Sequence, residues 1–438
     1  MQKLKLKKEY QKYPEYKNSG VDWIGKIPKE WNVDKLKAGF NFEKGKNAGL
    51  FTQEYVGSDK NLGEFPVYSG QTGNNGVMGR INKYVYDFGN DGAIFSTTVG
   101  AKVMTPMFLR GKFSLSQNCV LFMNKNKEIN NSYFYYQLFP LFKRQKDDIP
   151  SHMQPSLRIS DLNKYSVVFP IKQDQQKIAK FLDEKVELID EIVKKKKKLI
   201  ELLKEKRTAV INSAITKGLD LSVEMKDSGV GWVGDIPKSW NVYRMRFLVI
   251  EPFKYGINEL SLEDNKEFPR LIRITDVNKY GKLREDKFKS IDPAIAKNYL
   301  LKDGDILFAR SGATVGKTFQ YDSSWGVCCY AGYLIKMSVD KVKTLSDFIY
   351  AVTKSSVYEN WKNSIFVKAT IQNISAEKYK DFIVPIPSIE EQQMITEYIN
   401  KEAKEIDVIW KKVEKSINLL NEFKSSLISS VVTGKVKI

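Results

Sequence analysis

Residues 173–217 read QDQQKIAKFLDEKVELIDEIVKKKKKLIELLKEKRTAVINSAITK, and residues 388–433 read SIEEQQMITEYINKEAKEIDVIWKKVEKSINLLNEFKSSLISSVVT. Their apolar positions coincide under one constant offset. Ile178, Leu182, Ile189, Ile192, Leu203 and Val210 fall on Ile395, Ile399, Ile406, Ile409, Leu420 and Leu427. The steps of three, four, seven and eleven are heptad spacing and predict two long amphipathic helices. At ~1.5 Å per residue each makes a rod of about 65 Å. So narrow an apolar stripe needs a partner helix, and these twelve residues are the predicted seam of a helix pair. Lys185, Lys196, Glu402 and Ser416 are polar positions on that seam. Pro170 and Pro387 precede the helices, Ser388 and Glu391 have capping-box spacing, and Gly218 and Gly434 follow the last turns.

A second repeat lies ahead of each rod. Residues 17–33, KNSGVDWIGKIPKEWNV, return at 226–242 as KDSGVGWVGDIPKSWNV, with twelve of seventeen positions identical. Gly, Pro and Trp at fixed offsets predict a structural clasp, a turn pinned to a neighbour by its indoles. Between clasp and rod sit two segments with little mutual similarity until their closing text. There, Ile159-Ser160, Lys164-Tyr165 and Val168-Phe169-Pro170 answer Ile374-Ser375, Lys378-Tyr379 and Ile383-Val384-Pro385. Short apolar runs at 65–68, 92–96, 119–123, 271–274, 305–309 and 333–337 predict strands. Helices are predicted at 132–145, kinked or broken at Pro140, and at 345–361.

The expected layout is a basic lead-in (1–16), a first β-rich domain with its clasp (17–172), the first rod (173–217), linker and second clasp (218–242), a second domain (243–387), and the second rod with its tail (388–438). The fold class is α+β, a pseudo-two-fold tandem repeat. An antiparallel helix pair would hold the two domains at opposite ends.

The chain has 438 residues and a net charge of +19, from 71 Lys and Arg against 52 Asp and Glu. Residues 34–172 carry 18 basic and 11 acidic side chains, and residues 243–388 carry 23 and 17; the second rod and tail, 389–438, are balanced at 8 and 8. The excess therefore favours the two domains over the second rod, and a polyanion, with nucleic acid first, is the expected partner. Three cysteines, Cys119, Cys328 and Cys329, make no disulfide framework and no zinc spacing, which points to the cytoplasm. No apolar run is long enough for a membrane span.

The catalytic motifs read as absences. One histidine, His152, excludes most His-dependent hydrolase and zinc constellations. Ser311–Thr318 imitates a phosphate loop, but Ser311 stands where glycine is needed and no helix pattern follows. Gly229, Gly231 and Gly234 match G-x-G-x-x-G inside the second clasp, where no helix opens. The Pro-Pro motif of amino-methyltransferases is missing. Candidate nucleic-acid contacts are amide and basic side chains on loops: Gln71, Asn74, Asn75, Arg80, Lys102, Gln154 and Arg158 in the first domain. In the second they are Arg273, Arg310, Lys317, Lys368, Gln372 and Asn373. The run Lys194–Lys198 covers every face of its helix and reads as a solvated stretch.

With the clasps SGVDWIGKIPKEWNV and SGVGWVGDIPKSWNV, and the rods ending AITKGLD and VVTGKVKI, the whole chain resembles the specificity subunits of type I restriction–modification systems. The resemblance implies two target-recognition domains, each reading half of a bipartite, asymmetric site on double-stranded DNA. It also implies a non-catalytic subunit whose helices dock two adenine-N6 methyltransferase subunits, with restriction and motor subunits joining them. S-adenosylmethionine, ATP and Mg would belong to those partners, leaving no cofactor in this chain. Two rival readings are a coiled-coil interaction protein and a DNA-modifying enzyme that works alone.

Overall fold

The computed structural model describes residues 11–71, 73–100, 102–150, 152–258, 264–278, 282–366 and 373–438. The lead-in is therefore described only from residue 11. Two compact units emerge. One comprises residues up to Lys196 with Glu414–Ile438, and the other Lys197–Val413. Each unit contains one clasp, one β-rich body, and parts of both long helices, which span Lys172–Lys217 and Ile389–Val432.

The first unit is built on a four-stranded antiparallel sheet in the order Phe40–Lys44, Cys119–Asn124, Ala93–Thr97, Pro106–Leu109. Its central strands are buried on both faces, so they read as unbroken apolar runs instead of alternating ones. Beside it, Leu62–Tyr68 runs parallel to Lys112–Leu115. The second unit repeats this plan with Lys254–Tyr255, Leu334–Met337, Ile306–Ala309 and Thr318–Gln320, and with Arg270–Ile272 parallel to Cys328–Tyr330. The closing texts form strands that return to the clasp, Ser166–Phe169 with Asn32–Lys35 and Ile383–Ile386 with Asn241–Arg244, but two residues off the expected correspondence: Val168 and Pro385, not Val168 and Ile383, stand opposite the equivalent clasp residues Val33 and Val242.

Two helix expectations change. Asn131–Asp147 runs through Pro140 without ending there. The helix expected over 345–361 is two, Ser346–Val352 and Ser356–Phe366. At the break, Thr353 Oγ1 and Ser355 Oγ each donate to a carbonyl three residues back, Tyr350 and Val352. Such bonds compete with the helical ladder.

The clasps explain why the rods start and stop where they do. Trp31 and Trp240 are each 1% exposed. The Trp31 indole donates to Asp174 at 3.1 Å, and Trp240 to Glu391 at 3.0 Å, both in the first turn of a long helix. The other end of the opposite rod meets the same indoles. Gly434 and Gly218 both sit at φ +72°. A Cβ on Gly434 would reach Trp31 at 2.8 Å, and one on Gly218 would reach Trp240 at 3.3 Å. Only glycine turns this way at no steric cost. In the first unit Lys435 Nζ also donates to the carbonyls of Ile24 and Lys26, at 2.8 and 2.6 Å. One clasp thus holds the start of one helix and the end of the other, so within each unit the two helices run antiparallel.

The next turn is fixed by a buried glutamine. Gln175 donates to the Pro170 carbonyl at 2.9 Å and accepts from Asn130 N–H at 2.9 Å. Gln392 donates to the Pro387 carbonyl at 3.0 Å and accepts from Leu345 N–H and the Thr344 hydroxyl, both at 2.8 Å. Each ties its rod to the entry of a helix in its own unit.

Of the predicted seam, Ile178, Leu182, Ile189, Leu203, Ile395, Ile399, Ile406 and Leu427 are buried. Ile192, Val210 and Leu420 are half-buried, and Ile409 is 45% exposed. Val193, Ile211 and Val413 take buried places instead. A straight helix at 3.6 residues per turn drifts by ~20° per heptad from a 3.5 repeat, so the seam shifts sideways along the rod. Asp190 pairs with Lys424, and Asp407 with Arg207, each at 2.7 Å. The polar seam positions Lys185, Lys196, Glu402 and Ser416 are all half-buried. In the lysine run Lys194, Lys195, Lys197 and Lys198 are exposed, as a solvated stretch should be.

Candidate nucleic-acid interface

The sheets end in the same place in both units, at a mouth where loops from four directions converge. In the first unit the chain leaves Ala93–Thr97 at Thr98. Its N–H donates to the Asn118 carbonyl (2.9 Å), and its carbonyl accepts from Leu157 N–H (2.8 Å). In the second unit the chain leaves Ile306–Ala309 at Arg310. Its N–H donates to the Tyr333 carbonyl (3.0 Å), and its carbonyl accepts from Ile374 N–H (2.9 Å). Thr98 and Arg310 are equivalent positions by hydrogen-bonding, as are Asn118 and Tyr333. By strand register Lys44 answers Tyr255.

What the mouths present is different. The first opens into a cleft of about 380 Å³ lined by Phe51, Gln53, Ser69, Gln71, Gln117 and Asn118 among others. The amides of Gln53, Gln117 and Asn118 are exposed and bond to no described residue. The second presents Arg310 with its guanidinium 4.9 Å from the Tyr255 ring centre. That ring is itself held, because the Tyr255 hydroxyl accepts from Ala376 N–H at 3.0 Å. Arg310 Nε and the neighbouring Asn373 Oδ1 are buried with no hydrogen-bond partner among the described residues. An orphaned buried polar group costs about 1–3 kcal/mol unless water or a bound group completes it. Tyr333 beside it is 73% exposed.

The sequence-derived candidates divide accordingly. Arg310 and Asn373 are brought together, with Asn373 bridged to Ser311. Gln71 lines the first cleft, yet its amide donates to the Val77 carbonyl, and Asn74 donates there too at 3.3 Å. Asn74 and Asn75 hold φ of 47° and 51°, a turn role that asparagine tolerates. Arg80 donates to the Glu64 carbonyl at 2.6 Å. Arg273 is engaged by the fold: two of its nitrogens meet the buried Asp276 carboxylate at 3.0 Å, and one also meets the Lys287 carbonyl. Those bonds occupy its Nε and Nη2 and leave Nη1 unused among the described residues. Lys317, Gln154 and Arg158 are exposed, and Lys102 is half-buried. Lys368 and Gln372 lie outside the described residues. The structure also places Gln53, Gln117, Asn118, Tyr255 and Tyr333 at the mouths, residues that the sequence did not single out. All but Gln53, which opens the helix Gln53–Gly57, lie within two residues of a strand end, and pairing register places them.

The imitation phosphate loop is a short 3-10 turn, Gly312–Thr314, that leads into the strand Thr318–Gln320 and not into a helix. Gly229 and Gly234 take positive φ in the clasp turn. His152 is exposed. Burial pushes the thiols of Cys119 and Cys328 up to about 11 and that of Cys329 to about 12, so none is a ready nucleophile. Among the described residues no cluster could hold a metal ion, and no helix is long and apolar enough to cross a membrane.

The type I restriction modification DNA specificity domain matches residues 28–202 and again 256–418. The chain is 22% identical to the specificity subunit of the MjaVIII type I restriction enzyme of Methanocaldococcus jannaschii, over 94% of each chain. It is 33% identical to a putative type I specificity subunit of Mycoplasma pneumoniae, over 82% of this chain and 86% of that one. A solved structure from work on assembly and conformational transition of the type I restriction–modification system shares the fold. Its TM-score is 0.65 at 13% identity, covering 93% of this chain and 98% of that one.

Proposed function

We propose a division of labour from one premise: this chain belongs to the type I restriction–modification DNA specificity family. It is a DNA sequence-specificity subunit, and its two units read the two parts of one split, asymmetric site. The observation that carries this is the pair of mouths, alike in backbone and unlike in side chains. Two equal readers would suit a palindrome; two unlike readers suit an asymmetric sequence with an unread gap.

The chain catalyses nothing itself. Its long helices dock two adenine-N6 methyltransferase subunits, and restriction and motor subunits join that core. S-adenosylmethionine, ATP and Mg are held by those partners, and the assembly works in the cytoplasm. Exposed basic side chains such as Arg158 and Lys317 hold phosphates, while the mouths meet base edges.

The test uses the chain assembled with its methyltransferase subunits. DNA affinity should fall with salt, with a log–log slope of about −0.9 per phosphate contact. Mapped adenine methylation should show one two-part motif. Absent or salt-independent DNA retention favours a protein-interaction role and contradicts this reading. Methyl transfer by the purified chain with S-adenosylmethionine alone would overturn the non-catalytic assignment.

A further inference from the structure

The sharpest difference between the mouths is one residue. Thr98 and Arg310 make the same two backbone hydrogen bonds. The frame therefore has no need of an arginine side chain there. Arg310 nonetheless has a built setting. Its guanidinium lies against the Tyr255 ring, which the hydrogen bond from Ala376 N–H holds in place. Its Nε is buried and unpartnered, while its terminal nitrogens are not among the buried unpaired atoms and donate to no described residue. A planar fork of donors is thus fixed in orientation with its outer end free.

A free fork fits either a phosphate or the O6 and N7 of guanine. The comparison between units decides. A residue that only positions the duplex would be expected in both units, since both hold the same backbone. Thr98 itself is uncharged in the first unit, and its neighbours differ as well: Asn118 stands for Tyr333, and the cation Lys44 for the ring of Tyr255. Variation on a fixed frame is the mark of base reading. Resting on the reading above, we propose that Arg310, braced by Tyr255, reads a guanine in the part of the site bound by the second unit.

The experiment measures binding of the assembled complex to a duplex series in which every base pair of both half-sites is replaced in turn. The wild-type complex gives a penalty profile. Arg310→Ala is expected to erase one penalty, of roughly five- to 150-fold, at a single G·C pair of the second half-site. The first half-site should keep its profile and so reports that the variant is folded. Arg310→Lys keeps the charge and can still reach guanine but lacks the planar fork, so it should reduce the same penalty without abolishing it; it also serves if the alanine variant does not assemble. An unchanged second profile overturns the assignment. So does uniform weakening with a salt slope shallower by about one, the signature of a phosphate contact. If the wild-type complex shows no two-part profile at all, the underlying reading of the chain fails, which is a separate result.

Discussion

Trp31 and Trp240 occupy equivalent places and do the same work; Thr98 and Arg310 occupy equivalent places and do not. The first pair belongs to the frame. Each indole meets a carboxylate at one helix start and a glycine at the other helix end. The matching extends to the buried glutamines Gln175 and Gln392 and to the ion pairs Asp190–Lys424 and Asp407–Arg207. The second pair belongs to the mouths, where only the backbone is shared. The lesson is that duplication preserved whatever fixes geometry and released whatever faces outward from the sheet ends. Frame and mouth can therefore be broken separately, and the size and symmetry of the damage should tell them apart.

The largest effects should come from the clasps. Trp31→Ala and Trp240→Ala each remove a fully buried indole and leave a cavity, at about 3–5 kcal/mol. Denaturant unfolding should show comparable losses for the two. A large loss for only one would break the equivalence of the units.

The glutamines come next. Gln175→Ala orphans the Asn130 N–H and the Pro170 carbonyl; Gln392→Ala orphans the Leu345 N–H and the Pro387 carbonyl. Each should cost on the order of 1–3 kcal/mol, with the mapped methylation motif unchanged in surviving complexes. A changed motif would show that the frame itself takes part in reading.

An acid test separates the units chemically. In the second unit Lys336 lies buried between strands and donates to Glu251 at 2.8 Å, with Asp305 nearby at 3.8 Å. By register the first unit has Leu121 where Lys336 stands. Hydrogen bonds from Lys254 and Lys336 hold the Glu251 carboxyl down, from 4.5 to about 2. Stability from this depressed group is present above its unfolded value and lost as pH falls through about 2. Burial raises Asp305 and acts in the opposite direction. Glu251→Gln should therefore be less stable than wild type near neutrality, and the gap should close between about pH 4.5 and 2. A gap that stays constant with pH would refute the ionic role.

The smallest effect is expected at the rod surfaces. Asp190→Ala and Asp407→Ala break partly exposed ion pairs and should each cost no more than about 1 kcal/mol, less at high salt. A larger loss at either would mean that the drifting apolar seam is weaker there than its buried residues suggest.

Much of the frame was legible in the chain because it is local or repeated. Heptad steps gave the rods to within a residue or so of their ends, and Trp, Pro and Gly at fixed offsets marked the clasps. The drift from Ile409 to Val413 was not legible, since a strict heptad count ignores the helix's own period. Nor was the break at Thr353–Ser355, made by side chains turning back onto carbonyls. The mouths were harder. Gln71, Asn74 and Arg273 have the right chemistry, yet local bonds occupy them. Tyr255 became visible only once strand pairing placed it beside Arg310. Local chemistry nominates such residues, and non-local pairing selects among them.

One measurement bears most directly on a fixed frame with readable contents. Residues 243–382 are exchanged for those of a relative, the chain is assembled with its methyltransferase partner, and methylated adenines are mapped across a genome. The account predicts that one half of the motif changes while the other half and the gap between them stay. If both halves change, or neither does, the two units are not independent readers and the account is wrong.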